Sequence, residues 1–438
     1  MKQLLALALV LVLLAGAVLS SGCTQQQASA QEIKIGVVAS MTGPSSTTGK
    51  DIWQSAVVAA DEINANGGVY VKDLNQKVPV RLIQGDDEST REGGQKAVTR
   101  MITEDKVDVL VGGFSSAVTS AHQSIVADNK VPYIITGASS PIITRRTDIN
   151  TSYMFHHCPT TDDYGMQTVE FIDQQIRPAI NAKFQYPADR PLRLAIIYQD
   201  SPYGKGVLDA VANTIASQNL NIQLVDNRSF KMGESDFRTI LTGVKSSNPD
   251  AVYSAAFLNE QIPMITQARR DVGLNTIFLV VECNDDPDYY KGLGEFGAGS
   301  VIESRFGPYS NVQGTLSAPI SSFKNNFSNK WGGFPGMMGA STYEGVYIAT
   351  KAIEDAGTRD KVQVRETLDK LQMPQIIEYM EGQKVSFTDD YRESKFDLYM
   401  SQLAWNATSG ELRPKIVWPD QIRETAFVIP DWYEPGHP

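Results

Sequence analysis

Two loops in the sequence carry hydroxyl-bearing residues at positions where an anion could be held. Residues 112–116 read Gly-Gly-Phe-Ser-Ser, and residues 137–141 read Gly-Ala-Ser-Ser-Pro. Each loop follows a short apolar run, and the first also opens a helical pattern, so that the hydroxyls of Ser115 and Ser116 and nearby backbone N–H groups would face a ligand where a helix dipole attracts negative charge. The loops suit a carboxylate, although ordinary N-capping by serine would give the same pattern.

Two later loops offer an aromatic ring and a negative charge. Tyr203 lies in the loop 200–204, and Glu282 follows directly on the apolar run 277–281. A glutamate that enters a partly buried cleft needs a cation beside it. Together with the two serine loops, this carboxylate predicts a ligand that carries both charges, namely an α-amino acid.

Two glycine-rich segments resemble nucleotide-binding motifs but do not match their spacing or structural context. Between Gly43 and Gly49 lie five residues where a P-loop has four, and Asp51 stands where a magnesium-binding hydroxyl is needed. The segment 43–50 is therefore read as a hydroxyl-rich loop in which Thr47 or Thr48 could line a pocket, with simple solvation as the alternative. Residues 292–297 match GxGxxG, but a strand pattern follows where dinucleotide binding needs a helix.

The sequence gives no arrangement of catalytic or metal-binding residues. His156, His157 and Cys158 are adjacent, but neighbours on an extended chain point to opposite faces, and no second cluster completes a metal site. A strand leading into a crossover is the favoured interpretation. No Gly-x-Ser-x-Gly elbow occurs, and the few histidines are not paired with a nucleophile. We therefore expect a non-enzymatic protein without metal or cofactor.

The N-terminus is typical of an exported, membrane-anchored chain. Sixteen uncharged residues, 4–19, follow Met1-Lys2, and small residues then precede Cys23. This pattern resembles a lipoprotein lipobox, with Leu19 one position further from the cysteine than usual. We predict a signal peptide at 1–22, a lipid anchor on Cys23 and a flexible tether at 23–31; an uncleaved N-terminal anchor is the alternative.

Length and composition favour two globular lobes. The 438 residues exceed what one hydrophobic core usually holds. The net charge of −11, without a basic block, argues against a nucleic-acid partner. From residue 33, short β-branched runs alternate with helical-period segments, as in βαβ units with parallel sheets. Cys158 and Cys283 are expected to be separate thiols.

The same βαβ pattern occurs twice, which predicts an α/β fold of two doubly wound parallel-sheet lobes joined by a multi-strand hinge. Lobe one is predicted to comprise 32–157 plus about 307–370, and lobe two about 158–306 plus 371–438. Small ligands bind at the carboxyl ends of such strands, so we expect the site in the cleft between the lobes.

The chain resembles the periplasmic leucine/isoleucine/valine-binding family, the type I substrate-binding proteins of ABC importers. No single motif is very specific to this family, but the order and spacing of the motifs along the chain are. The segments that carry the resemblance are Ile35-Gly36-Val37 with Met41-Thr42-Gly43-Pro44, Ala59 to Asn64 with Gly67-Gly68, Val111-Gly112 with Ser115-Ser116, and Tyr203-Gly204 with Gly206.

The resemblance assigns roles to residues of this chain. It implies that Ser116, Ala138 and Ser139 hold a ligand carboxylate and that Tyr203 and Glu282 meet its ammonium group. It further implies that Thr48 and Phe257 border the ligand side chain. Three positions depart from the family's pattern, and they bear on side-chain preference more than on fold: they are Thr48, Ala117 and His156.

The resulting hypothesis is an extracytoplasmic substrate-binding protein. It would capture a small ligand, a branched-chain or related amino acid, and deliver it to the membrane permease of an ABC importer. A ligand-sensing ectodomain is less favoured because a sensor is expected to continue beyond Pro438 into a membrane span. A binder of another small carboxylate or amide remains an alternative.

Overall fold

The computed structural model describes residues 31–311 and 314–435. The predicted signal peptide, Cys23 and nearly all of the predicted tether lie outside these residues. The first sheet is parallel throughout, with the strand order β4-β1-β5-β6-β7. Its strands are β1 (Ile33–Ala39), β4 (Val80–Asp86), β5 (Val109–Gly112), β6 (Tyr133–Ile135) and β7 (Met154–His156). A small hairpin of β2 (Val69–Val71) and β3 (Gln76–Val78) is inserted in the chain between β1 and β4.

Helices cover the first sheet. Helix α1 ends at Asn66 because Gly67 and Gly68 adopt positive φ values of 91° and 85°. The helices of this part of the chain are α1 (Ser46–Ala65), α2 (Arg91–Thr103), α3 (Ser116–Thr119), α4 (Gln123–Asn129) and α5 (Ile142–Arg145).

The second sheet has the strand order β16-β15-β12-β11-β10-β8-β9. Its first five strands in sequence are parallel, β15 runs antiparallel to β12, and β16 runs antiparallel to β15. The strands are β8 (Leu192–Gln199), β9 (Ile222–Phe230), β10 (Ala251–Ala255), β11 (Ile277–Val280), β12 (Val301–Ser304), β15 (Tyr399–Asn406) and β16 (Glu411–Trp418).

Helices of the middle of the chain flank the second sheet, and α6 packs against α8. They are α6 (Thr161–Phe171), α7 (Arg177–Lys183), α8 (Pro202–Ser217), α9 (Arg238–Ser246), α10 (Leu258–Gln267) and α11 (Pro287–Leu293). The later helices return to the first sheet, where α13 packs along α1. These are α12 (Ser317–Trp331), α13 (Met337–Ala356) and α14 (Lys361–Leu368).

The chain passes between the two sheets three times, at residues 157–160, between β12 and α12 (described at 305–311 and 314–316) and at 369–398. The last passage contains the short strands β13 (Met373–Pro374) and β14 (Lys384–Val385). It pairs with the end of β7 through a parallel bridge between His156 and Glu393. We call these three segments the hinge.

The predicted α/β architecture of two doubly wound lobes is confirmed, with an antiparallel edge on the second sheet as the main difference. The β2–β3 hairpin escaped prediction because each strand has only three residues. Among the described residues, no helix is both long and apolar enough to cross a membrane.

Candidate functional site

Loops at the carboxyl ends of the two sheets contact each other. The Phe114 ring, which follows β5, lies 4.5 Å from the Phe257 ring, which follows β10. Asn259 on α10 donates a hydrogen bond to the carbonyl oxygen of Pro44, in the loop after β1. The two lobes are therefore closed on each other at this cleft, which in this fold is the usual place for a small ligand.

The loop after β5 contains two glycines with positive φ values, Gly112 and Gly113. Gly112 has a φ of 105°, and a Cβ there would lie 2.3 Å from the carbonyl oxygen of Val38. Gly112 therefore lets the chain turn away from the sheet at close approach to β1. Ser115 Oγ is buried and has no hydrogen-bond partner among the described residues. Ser116 Oγ, in contrast, accepts a hydrogen bond of 3.1 Å from Ser140 N.

The loop after β6 carries two more predicted residues, both buried. Ala138 belongs to the hydrophobic core on one side of the first sheet. The carbonyl oxygen of Ser139 accepts a hydrogen bond of 2.9 Å from Thr161 N, at the start of α6. This hydrogen bond links the loop after β6 in the first lobe to the beginning of the second lobe.

Thr48, the predicted residue of the loop 43–50, is buried in the first turn of α1.

Two predicted residues of the second lobe form an aromatic stack. The Tyr203 and Phe257 rings lie 5.3 Å apart with their planes inclined by 18°. The Tyr203 hydroxyl lies 3.8 Å from Cys283 Sγ. Together with Phe114 these rings give the cleft an apolar, aromatic wall.

Glu282 is fully buried, and the chain itself supplies its cation. Its Oε1 accepts hydrogen bonds from Arg305 Nη1 and from the Tyr164 hydroxyl. Arg305 therefore supplies a cation beside Glu282, as burial of the carboxylate requires. Glu282 Oε2, however, has no hydrogen-bond partner among the described residues.

A buried polar network continues from Arg305 into the hinge. Arg305 Nε donates a hydrogen bond of 3.0 Å to Glu378 Oε1, and His157 Nε2 lies 2.9 Å from Glu344 Oε2. Burial raises the pKa of Glu378 to about 8 and lowers the pKa of His157 to about 4. Near pH 7 the histidine ring is therefore neutral, and Glu378 is largely protonated.

Three groups of this network could hold a metal ion by their spacing. The nearest ligand atoms of His157, Glu344 and Glu378 lie within 4.8 Å of one another. The sequence argument found no second cluster beside His157, and the structure places two glutamates there. Hydrogen bonds account for the arrangement, since Glu344 Oε1 also accepts from the backbone N–H groups of Ile377 and Glu378. We therefore treat the group as part of the hinge.

A second acidic group lies where the lobes meet beside α13. Asp51 accepts hydrogen bonds from Gly336 N at 3.0 Å and Gly339 N at 2.6 Å. A Cβ on Gly336 would lie 2.5 Å from Asp286 Oδ2 and 3.0 Å from Asp51 Oδ2, so the two carboxyls are close neighbours. Burial raises the pKa of both groups, that of Asp51 to about 6.

Sequence reasoning missed Phe114, Tyr164 and Arg305. A signal for Arg305 was present, because it follows the apolar strand β12 just as Glu282 follows β11. These strands are parallel neighbours, with Leu279 opposite Val301. Residues just beyond their carboxyl ends must lie side by side, so the ion pair follows from the strand order.

Comparison with known proteins places the chain in a family. Residues 32–408 match the family described as periplasmic binding protein. The Leu/Ile/Val-binding protein of Escherichia coli is 26% identical over 291 residues, which are 66% of this chain and 72% of that protein.

Solved structures share the fold. A branched-chain amino acid transporter substrate-binding protein of Streptococcus pneumoniae, in complex with isoleucine, gives a TM-score of 0.73 at 20% identity, over 89% of this chain and all of that one. A solute-binding protein of Rhodopseudomonas palustris, in complex with 3,4-dihydroxybenzoic acid, gives 0.69 at 18% identity, over 88% and 96%. The chain belongs to the periplasmic binding protein family.

Proposed function

We propose that this protein captures a small amino acid, of branched-chain or related type, between its two lobes and delivers it to the permease of an ABC importer. The observation that carries the proposal is that two buried polar atoms at the predicted site, Ser115 Oγ and Glu282 Oε2, have no hydrogen-bond partner in the described part of the chain. A hydroxyl can donate to a carboxylate, and a carboxylate oxygen can accept from an ammonium. The similarity to the Leu/Ile/Val-binding protein of Escherichia coli also supports this proposal.

The ligand side chain would rest on the aromatic wall. Phe114, Tyr203 and Phe257 are buried and offer only one polar atom, the Tyr203 hydroxyl, which is engaged with Cys283. An apolar side chain gains most from such a surface, because its burial removes hydrocarbon from water without leaving polar groups unsatisfied. This favours leucine, isoleucine or valine over polar amino acids.

An aromatic carboxylate is the second candidate, and the same rings favour it. The Rhodopseudomonas palustris protein is similar in fold and was solved with such a ligand. The Glu282 carboxylate argues against it for this chain, since a ligand without a positive charge would leave Oε2 unpartnered or face it with another anion.

The proposal includes the motion of the two lobes and the location of the protein. We propose lobes at 32–157 plus about 307–370 and at about 158–306 plus 371–438, with the hinge opening and closing between them. The chain would act by binding rather than catalysis and would work outside the cytoplasm, tethered by lipid on Cys23. In that case Cys23→Ala should leave unprocessed or released protein, whereas fully membrane-associated and normally processed variant protein would refute the anchor.

A thermal-shift screen tests the ligand class. Protein freed of bound ligand by unfolding and refolding would be screened with leucine, isoleucine, valine, glutamate and benzoate. We expect the branched-chain amino acids to raise the unfolding temperature most, because a ligand that binds only the folded state stabilises it. Stabilisation by benzoate alone would favour the second candidate.

A further inference from the structure

Arg305 joins the candidate site to the hinge. It lies in the second hinge segment and is fully buried. Its three nitrogens donate to three different parts of the chain: Nη1 to Glu282 beyond β11, Nε to Glu378 in the third hinge segment, and Nη2 to Ser341 on α13. Its guanidinium also lies 4.6 Å from the centre of the Phe396 ring. One side chain therefore holds both lobes and the hinge.

The two oxygens of Glu282 are treated differently. Oε1 receives donors from Arg305 and Tyr164, whereas Oε2 receives none among the described residues. A buried carboxylate is stable in its charged form only when a cation and hydrogen bonds compensate for lost water. Arg305 meets that need without occupying the second oxygen.

In the described part of the chain, Arg305 is the cation that pairs with Glu282. The other titratable side chains that interact with Glu282 there are Cys158, Tyr164, Cys283, Asp285 and Glu303, none of which carries a positive charge. The arginine therefore compensates and orients the buried carboxylate.

We propose that Arg305 is a positioning residue for ligand recognition, which fixes Glu282 through Oε1 so that Oε2 is left for the ligand ammonium. This inference rests on the proposed function, because it assumes an ammonium-bearing ligand. It goes further in assigning the recognition of that charge to a pair, one member of which belongs to the hinge.

The test is the preference for leucine over its deaminated acid in Arg305→Met. Calorimetric titrations of the variant and of wild type with both ligands give this preference for each protein. We expect wild type to prefer leucine by at least about tenfold. Arg305→Met should lose most of that preference, because the ligand ammonium no longer meets a fixed Glu282 Oε2.

Arg305→Lys and Arg238→Met complete the comparison. The lysine keeps a positive charge but not the three-way donation, so Arg305→Lys should bind leucine more weakly than wild type and lose part of the preference over the deaminated acid. Arg238 is exposed and pairs with Asp236, so Arg238→Met should behave as wild type. If Arg305→Met does not fold, the lysine variant decides: wild-type affinity in Arg305→Lys would overturn the proposal.

An Arg305→Met variant that binds leucine and the deaminated acid more weakly by the same factor would also overturn it, because a purely structural defect lowers both affinities alike. Failure of the proposed function looks different. In that case wild-type protein would not bind leucine, or would bind its deaminated acid equally well.

Discussion

Phe114 and Phe257 meet across the two sheets, with ring centroids 4.5 Å apart and planes inclined by 42°. One ring follows β5 and the other follows β10, so this contact exists only while the lobes are closed. Tyr203 also stacks on Phe257, with ring centroids 5.3 Å apart. The ring of Phe257 is therefore shared between lobe closure and the wall of the candidate site.

Phe257→Ala should weaken amino-acid binding by at least about tenfold, because it removes both the interlobe ring contact and apolar surface beside the ligand. Calorimetric titration measures the effect. Phe334→Ala is the matched control, since Phe334 is 38% exposed and lies away from this ring pair. Equal affinities of the two variants would show that Phe257 has no part in binding.

Two adjacent serines should respond in opposite ways. Ser115→Ala removes a buried hydroxyl that lacks a partner, so the ligand-free protein should keep its stability while affinity falls by about 1.5–3 kcal/mol for a lost bond to a charged carboxylate. Ser116→Ala leaves Ser140 N without its acceptor, so it should lower the free energy of unfolding by about 1–3 kcal/mol. Denaturant unfolding and titration separate the two effects, and destabilisation by Ser115→Ala with unchanged affinity would contradict the assignment.

The sequence predicted the fold well because its signals are local. Apolar runs and glycine stops mark β1, α1 and the loop after β5 without knowledge of distant residues. The doubly wound order then places residues 112–116, 203 and 282 at one edge of each sheet. Positions of candidate site residues therefore followed from periodicity and the family resemblance together.

Most partners could not be predicted in the same way. The Glu282–Arg305 pair follows from the order of β11 and β12, but Glu378 reaches Arg305 from 73 residues away in the hinge, and no local pattern records that approach. The Phe114–Phe257 contact depends on how far the lobes close, which is a property of the hinge. The antiparallel β15–β16 edge likewise depends on a chain return after three passages between the sheets.

Stability should fall as pH rises from about 6.5 to 8. Burial raises the pKa of Asp285 to about 7 and that of Glu378 to about 8. In this range the folded protein retains protons that the unfolded chain has released, so the free energy of unfolding decreases by up to about 1.4 kcal/mol per pH unit for each group. The buried His156 and His157, with pKa values lowered to about 4, oppose this trend only below about pH 6.5.

Glu378→Gln tests the source of this pH dependence. It removes one titrating group, so the decline measured by thermal unfolding should become shallower. Glu381→Gln, at an exposed position in the same hinge segment, should leave it unchanged. An identical pH profile for wild type and Glu378→Gln would show that this carboxyl does not titrate in the range.

Ligand binding should make the molecule more compact. Three hinge segments connect the lobes, and loops from both lobes line the candidate site, so occupancy should favour closure. Small-angle scattering at saturating ligand should give a smaller radius of gyration than ligand-free protein. An unchanged radius with binding established by calorimetry would argue against hinge closure.

The central claim is that a ligand ammonium pairs with Glu282, and calorimetric titration of wild type and Glu282→Gln tests it most directly. Refolded, ligand-free protein would be titrated with leucine, its deaminated acid and its amide. We expect the deaminated acid to bind at least about tenfold more weakly than leucine, and Glu282→Gln to lose on the order of 2–5 kcal/mol of leucine affinity. A deaminated acid that binds as tightly as leucine, or a Glu282→Gln variant with wild-type affinity, would contradict the account.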